Sequence, residues 1–491
     1  MKNGSLPFNY AKGLCFTKKP FSFLCTLHRM GRESVAEGNF TPMNKSFQRV
    51  RNLTPAQAIV AYYFVAIAFS FLLLRLPGVL QPGVSMTYID TLFTAVSAVS
   101  VTGLTVIDVS QTLSVFGIIV LMVILQFGGI GIMSIGTFFW ILLGKRIGLR
   151  ERQLIMVDHN QSSMAGVVKL ITEIVKILLL IEVIGALILT VYFTQYFYSF
   201  SEALLHGVFG AVTATTNGGF DITGSSLQPY VDDYFVQIVN MILIILGAIG
   251  FPVLIELKEF LSNETKNFRF SLFTKITTSI FGMLLVVGTV GILILESVNA
   301  FKGMSWHQTL FGALFHSVSS RSGGLVTIDI TQFSDATNVF MSALMFIGAS
   351  PSSAGGGIRT TTFAIAILFL INFARGKNTI QIFNREIELI DVFRSFAVLF
   401  LAGAMVLLAT MLLIITEPNA SIVEILFEIT SAFGTCGMSL GLTSELSSIG
   451  KVIVMVLMFI GRVGLISFLF TIGGKTDPTK FHYPKERVII G

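Results

Sequence analysis

The sequence carries little charge. Lys, Arg, Asp and Glu together make up 12% of its 491 residues, where a soluble domain carries roughly 25%. No long polar segment separates its apolar runs, so a large soluble core is excluded. Cysteine is scarce as well. Cys15, Cys25 and Cys436 are the full complement, too few for a disulfide framework. The histidines at His159, His206, His307 and His316 share no metal-ligand spacing, and no nucleophile–base pair or carboxylate dyad emerges. A non-enzyme is expected, with no bound cofactor. A phosphate cradle of the form Gly-x-x-x-x-Gly-Lys-Ser/Thr is missing, and nothing marks a nucleic-acid partner.

Long apolar segments are abundant. Hydrophobic residues are 53% of the chain, and runs of about 20 apolar residues recur, the length that crosses a bilayer. The runs predict eight spans in four pairs, about 56–76 and 112–143, 169–195 and 234–257, 272–296 and 337–374, 393–416 and 449–472. Between the members of each pair lies an amphipathic, helix-length run, starting near Tyr88, Ser201, Ser305 and Ala420. Asp90, Glu202 and Glu424 lie in or near their first turns, where a carboxylate suits the helix dipole.

Each of these runs ends in a short glycine turn. The first is Val101-Thr102-Gly103-Leu104-Thr105. The later ones are Thr215-Thr216-Asn217-Gly218-Gly219-Phe220, Ser320-Arg321-Ser322-Gly323-Gly324-Leu325 and Gly434-Thr435-Cys436-Gly437-Met438-Ser439. Lipid cannot satisfy the backbone of such a turn, which survives at membrane depth only when buried in protein or lining a water-filled cavity. Gly103, Gly219, Gly324 and Gly437 align. A single glycine turn is better read as helix packing; four in register point to a ring of backbone carbonyls around an axis, the construction of an ion selectivity filter. The unit is span, half-helix, turn, span, repeated four times.

The basic residues give orientation. Lys145, Arg146, Arg150 and Arg152 lie in the first linker between pairs, Lys258, Lys266, Arg269 and Lys275 in the second, Arg375, Lys377, Arg385 and Arg394 in the third, and Lys475, Lys480, Lys485 and Arg487 in the C-terminal tail. The positive-inside rule places these in the cytoplasm with both termini, so all four turns enter from outside. The outer segments carry Asp90, Asp108, Glu202, Asp221, Asp232, Asp233, Asp329, Asp335, Glu417, Glu424, Glu428 and Glu445, with Arg75, Lys302, Arg321 and Lys451 as exceptions. They predict an acidic mouth that concentrates cations. The domain division that follows is a basic N-terminal tail at 1–54, repeats at 55–144, 145–258, 259–375 and 376–474, and a C-terminal tail at 475–491.

Two further stretches break the pattern of a simple span. Residues 348–357, Gly348-Ala349-Ser350-Pro351-Ser352-Ser353-Ala354-Gly355-Gly356-Gly357, hold one Pro and four Gly inside the sixth span and cannot form a straight helix. Arg462 lies inside the last span, and an ionisable residue there is a functional candidate facing protein or water. Glu182 and Asn240 are also intramembrane; interhelical hydrogen bonding is the expectation for both. Gln126-Phe127-Gly128-Gly129-Ile130-Gly131 reads as close helix packing, as do His206 and His316.

Four of these motifs carry a resemblance that covers roughly residues 55–475. They are the Val101–Thr105 turn, Ile249-Gly250-Phe251-Pro252-Val253-Leu254, the Gly348–Thr361 segment that ends Gly357-Ile358-Arg359-Thr360-Thr361, and Phe459-Ile460-Gly461-Arg462-Val463-Gly464. With them the chain resembles the membrane subunit of a Ktr-type potassium uptake system, within the Trk/Ktr/HKT superfamily. The resemblance implies an all-α polytopic membrane protein with four span–pore loop–span repeats around one pseudo-fourfold pore. It implies a K⁺ filter at Val101, Thr102, Gly103, Asn217, Gly218, Gly219, Ser322, Gly323, Gly324, Thr435, Cys436 and Gly437. It implies a gate loop at Ser350, Pro351, Ser352, Ser353, Ala354, Gly355, Gly356 and Gly357, and a positive barrier below the filter at Arg462. It further implies potassium uptake across a bacterial cell membrane, a homodimer, a cytoplasmic nucleotide-binding regulatory ring and activation by Na⁺. Gly218 and Gly323 stand where the family commonly has Ala, Leu325 where Phe often stands, and Arg359 where Lys is common. The two additional glycines predict a looser filter, so a less selective Na⁺/K⁺ transporter of the same fold is the alternative. An alternating-access carrier built on inverted repeats is disfavoured, because each unit holds an even number of spans and all four run parallel.

Overall fold

The computed structural model describes residues 54–144, 147–158, 166–262, 268–377, 379–465, 467–469 and 486. The described residues belong to one compact unit that begins at Thr54. The N-terminal tail with Cys15 and Cys25, the linker residues Lys145, Arg146 and Lys266, His159, and the C-terminal tail apart from Glu486 lie outside the described residues.

Among the described residues four helices are long and apolar enough to cross a membrane: α1 (Pro55–Leu74), α6 (Val167–Phe193), α10 (Leu272–Glu296) and α14 (Leu389–Thr416). The first shows how such a helix starts. Thr54 Oγ1 accepts from the Gln57 N–H at 3.3 Å, Gln57 Oε1 accepts from the Thr54 N–H at 3.1 Å, and Pro55 occupies the first helical position, so the orphan donors of the first turn are satisfied. The outward faces of these helices expose Phe64, Phe69, Leu187, Val286, Phe400 and Ile415, an apolar surface that suits lipid and would be a liability in water.

Each long helix is followed by a shorter one that ends in a glycine turn: α2 (Tyr88–Ser100), α7 (Phe200–Thr215), α11 (Trp306–Ser319) and α15 (Ile422–Gly434). Thr87, Ser199, Ser305 and Ser421 cap their N-termini. Asp90, Glu202 and Glu424 occupy first turns, where the sequence placed them.

The second member of each pair is where the structure departs from eight straight spans. The first is broken into α3 (Val115–Ile130) and α4 (Ile132–Leu142), bent by 100°, and α5 (Leu149–Asp158) follows. The second is broken into α8 (Tyr234–Ala248) and α9 (Phe251–Leu261), bent by 106°. The third is split into α12 (Asp335–Ile347) and α13 (Thr360–Ala374), with the glycine-rich loop between them. The last is α16 (Ser448–Val463). The bends share one backbone geometry: φ/ψ is 96°/132° at Gly131, 104°/129° at Gly250, 80°/139° at Arg359 and 89°/139° at Gly464. This conformation leaves the helix, and its positive φ is costly for any residue with a Cβ. Apolar runs alone do not reveal such a break, because the run continues through it.

The four units close into a ring. Helix α3 packs on α7, α8 on α11, α12 on α15, and α16 returns to α2. Each second helix thus braces the next unit's short helix, and the last braces the first. The final junction carries an ion pair, Lys451 Nζ to Asp90 Oδ1 at 2.8 Å. Among the described residues the architecture is all-helical apart from one hairpin, β1 (Gln381–Ile382) antiparallel to β2 (Arg385–Glu386). Phe383 and Asn384 turn it with φ of 50° and 60°, the paired positive angles of a tight hairpin turn.

Candidate functional site

The four glycine turns converge. In each, the residue two before the aligned glycine is left-handed, with φ of 55° at Val101, 55° at Asn217, 76° at Ser322 and 46° at Thr435. The aligned glycine follows with φ of 90°, 64°, 73° and 100° at Gly103, Gly219, Gly324 and Gly437. Two positive angles in three residues end the short helix and turn the chain back. A Cβ placed on Gly103 would fall 2.7 Å from both the Gly218 carbonyl oxygen and the Gly219 Cα. One on Gly219 would meet the carbonyl oxygens of Cys436 and Thr102 and the Cα of Gly324, each at 3.2 Å. Gly324 abuts the Cys436 carbonyl, and Gly437 abuts the Thr102 carbonyl with Gly103 Cα at 3.1 Å. The four turns touch around a closed circuit, and the carbonyls of Thr102, Gly218 and Cys436 lie against its glycines.

Hydroxyl groups hold the turns from behind. Ser97 Oγ accepts from the Gly103 N–H at 3.1 Å, and Ser431 Oγ accepts from the Gly437 N–H at 3.1 Å. In the middle two units the direction is reversed: Thr213 Oγ1 donates to the Phe220 carbonyl at 2.9 Å, and Ser319 Oγ donates to the Leu325 carbonyl. The Cys436 thiol donates to the Ser319 carbonyl at 3.4 Å, tying the fourth turn to the third unit. The C-terminal ends of α2, α7, α11 and α15 all run into the circuit, and the negative end of a helix dipole stabilises a cation placed there.

The extra glycines are closely packed. A Cβ on Gly323 would lie 2.9 Å from Ser319 Cα, and one on Gly218 would lie 3.0 Å from Leu125 Cδ2. Close approach, which the sequence does not display, accounts for both.

The loop between α12 and α13 lies directly against two of the turns. A Cβ on Gly355 would lie 2.7 Å from Ser322 Oγ, and one on Gly356 would lie 2.6 Å from Thr435 Oγ1. The loop is built rather than slack. The Ala349 N–H donates to the Gly356 carbonyl at 3.0 Å, Ser350 to Ala248 at 3.0 Å, and Ala354 to Gly247 at 3.1 Å. In return the Phe251 N–H donates to the Ser352 carbonyl at 2.7 Å. Thus Gly348 to Gly357 is docked on the break between α8 and α9. Arg359 Nη1 donates to the Ser350 carbonyl at 3.3 Å and to the Gly355 carbonyl, and Thr360 Oγ1 donates to Ser350 Oγ at 3.1 Å. Pro351 and Ser353 complete the loop, Ser353 Oγ donating to the Ser350 carbonyl at 2.6 Å.

Arg462 is buried between this loop and the first unit. Nη1 donates to the carbonyls of Ala354 and Gly355, and Nη2 to those of Gly128 and Gly129. One guanidinium therefore clamps the loop of the third unit to the break of the first. Its place has counterparts. In Gly128-x-x-Gly131, Gly247-x-x-Gly250 and Gly461-x-x-Gly464 the first glycine lies against the end of its own unit's short helix, on Val99 O, Thr215 O and Phe433 O respectively. The next residue is Gly129, Ala248 and Arg462. Of these three units the last alone carries a charge at that position, and the third unit brings Arg359 to the same Gly355 carbonyl. A cavity of about 610 Å³ adjoins it, lined by Arg462, Arg359, Arg394, Asp391, Glu388 and Glu386 among others.

The remaining sequence candidates fall as follows. Glu182 accepts from Gln126 Nε2 at 2.6 Å across two helices, as expected, whereas Asn240 Nδ2 bonds the Val236 carbonyl of its own helix at 2.9 Å. His206 stacks on Phe197 and His316 is buried with both ring nitrogens near backbone carbonyls. The acids of the outer segments are more engaged than an open acidic mouth requires. Asp108, Asp221 and Asp329 cap the turns that follow them, Asp233 caps α8 and accepts from Tyr192, and Glu428 is fully buried, accepting from Thr443 at 2.7 Å and from Ser439. The bend residues Gly131 and Gly250, and the carbonyls of Gly128 and Gly129 that meet Arg462, were not legible as site groups; the repeated Gly-x-x-Gly spacing is the signal that marks them.

Comparison with known proteins follows this geometry. Residues 42–476 match the family model TrkH, described as a cation transport protein. The chain is 55% identical over 442 residues to Ktr system potassium uptake protein D of Bacillus subtilis, covering 90% of this chain and 98% of that protein. It is 36% identical over 440 residues to Ktr system potassium uptake protein B of the same organism, covering 89% and 97%. Among solved structures, the potassium transporter TrkH from Vibrio parahaemolyticus superposes with a TM-score of 0.67 at 17% identity, covering 85% of each chain.

Proposed function

The chain belongs to the TrkH family of cation transport proteins, and from that premise we propose that it is the membrane subunit of a potassium uptake system. The observation that carries the reading is the closed circuit of the turns at Gly103, Gly219, Gly324 and Gly437 with backbone carbonyls packed against these glycines. Such carbonyls replace the hydration shell of a weakly hydrated monovalent cation. The helix ends behind them favour the cation and disfavour anions. In this reading Val101–Gly103, Asn217–Gly219, Ser322–Gly324 and Thr435–Gly437 are the filter, and flux is passive, driven by the ion gradient and the membrane potential.

Residues 350–357 are the gate. They press on Ser322 and Thr435 from the cytoplasmic side, and Arg462 acts both as latch, through Ala354 and Gly355, and as a positive barrier to the passing ion. The chain has no nucleotide motif of its own, so nucleotide control falls to a separate cytoplasmic regulatory ring, with the membrane subunit as a homodimer, both termini inside and Na⁺ as an activator. Gly218 and Gly323 favour the less selective Na⁺/K⁺ reading by their identity, but their close neighbours weigh against it.

Flux in liposomes with K⁺, Rb⁺ and Na⁺ compared side by side tests the reading. K⁺ and Rb⁺ should pass and Na⁺ should lag. Equal K⁺ and Na⁺ flux would move the assignment to the non-selective alternative, and no cation flux from folded protein would overturn it.

A further inference from the structure

Arg321 stands three residues before Gly324. The equivalent positions in the other units are Ser100, Thr216 and Gly434, all small. Thr216 lies on Gly129, and Gly434 on the backbone of Met345, so this position abuts the second helix of the preceding unit. Arg321 places a long cation there. Its side chain is fully buried, and Nε, Nη1 and Nη2 meet no hydrogen-bond partner among the described residues. The ion pairs found among those residues involve other side chains. The guanidinium lies over Phe281, 5.6 Å from the ring centroid. Phe281 belongs to a buried cluster with Ala248 and Ala349, the break of α8 and the start of the glycine-rich loop. A second buried arginine thus stands beside the filter, in a unit next to the one that holds Arg462.

A buried charge without a counter-ion is costly, and a cation–π seat offsets only part of that cost. An apolar chain of the same shape would fill the space at less expense to folding. The same low dielectric lets the field of Arg321 reach neighbouring cation sites with little screening. Conduction needs binding strong enough to admit an ion and weak enough to release it, and a fixed positive charge behind the carbonyls weakens binding without entering the path.

We propose that Arg321 is a specificity-determining residue, a fixed positive charge behind the third turn that lowers cation affinity in the adjacent filter site. This rests on the filter reading above. The test is flux against K⁺ concentration in liposomes for the parent, R321K, R321M and R321Q, each checked for a single monodisperse elution peak. The neutral variants should lower the half-saturating K⁺ concentration by roughly tenfold and slow maximal flux, and R321K should stay with the parent. The proposal is overturned if folded neutral variants keep the parent's half-saturation and Rb⁺/Na⁺ ratio, or if R321K shifts as R321M does. It is also overturned if both neutral variants fail to elute as folded protein while R321K does, because the side chain is then a structural strut. A parent that passes no K⁺ removes the filter reading itself, and this proposal with it.

Discussion

Gly103 and Gly219 meet backbone to backbone: a Cβ on Gly103 would fall 2.7 Å from the Gly219 Cα and 2.8 Å from its carbonyl carbon. Both residues have positive φ, so the contact binds two constraints in one place. Gly103→Ser should therefore displace the second turn as well as the first. K⁺ uptake is expected to fall, with Na⁺ permeation rising relative to it, by about an order of magnitude, since a clash of this kind costs on the order of 1–3 kcal/mol and 1.4 kcal/mol is tenfold. Competition between K⁺ and Na⁺ in liposome uptake is the measurement; a well-expressed mutant with unchanged selectivity would remove Gly103 from the filter.

Arg462→Gln removes a charge and also leaves the carbonyls of Ala354 and Gly128 without their donor. Basal cation flux should rise or K⁺ affinity should change. Arg462→Lys keeps the charge but loses the planar fork that spans two units, so it should keep the electrostatic barrier and loosen the loop. Identical flux in both variants and the parent would leave Arg462 with a folding role alone.

Deleting Ser352 to Gly355 removes the bonds from Phe251 to Ser352 and from Ala354 to Gly247, and the contact of Gly355 with Ser322. Higher basal flux is expected, with a weaker response to the proposed nucleotide-binding ring and ATP. The deletion mutant, if folded with the parent's low basal flux and full nucleotide response, would show that the loop is a packing element.

Lys451 and Asp90 join the last unit to the first, with side chains 15% and 17% exposed. Lys451→Met strands a half-buried carboxylate and should destabilise the protein by about 1–3 kcal/mol, between the values for exposed and buried pairs. Thermal unfolding in detergent should show a lower Tm, and the charge-swapped pair Asp90→Lys with Lys451→Asp should recover part of the loss. A Tm unchanged by either variant would mean that α16 and α2 are held by apolar contacts alone.

The convergence of the four glycine turns was legible because its requirement is written into residue identity: only glycine suits the positive φ and backbone contact at Gly103, Gly219, Gly324 and Gly437. The short helices were legible from their caps and first-turn acids, Thr87 with Asp90 and Ser421 with Glu424. The bends at Gly131 and Gly250 were not, since hydropathy records solvent and not direction, and an apolar run reads alike when straight or folded back. The engagement of Asp233 and Glu428 was likewise hidden, because a carboxylate's charge is visible in sequence while its hydrogen-bond partners are tertiary. The strained backbone of Arg359 follows from its unit's loop, which places a side chain at a corner that is glycine in the other three.

The Gly-x-x-Gly corners of the ring bear on stoichiometry. In a pore assembled from four identical chains, every lining position is occupied four times, and a single arginine at this level would become four, multiplying the Coulomb barrier accordingly. Here the four sectors are consecutive stretches of one polypeptide, so Gly129, Ala248 and Arg462 can differ. The molecule can therefore place charge in steps of one elementary unit, and can tether the loop through Arg462 while the first two sectors stay neutral at that position. A ring of identical chains has no such freedom.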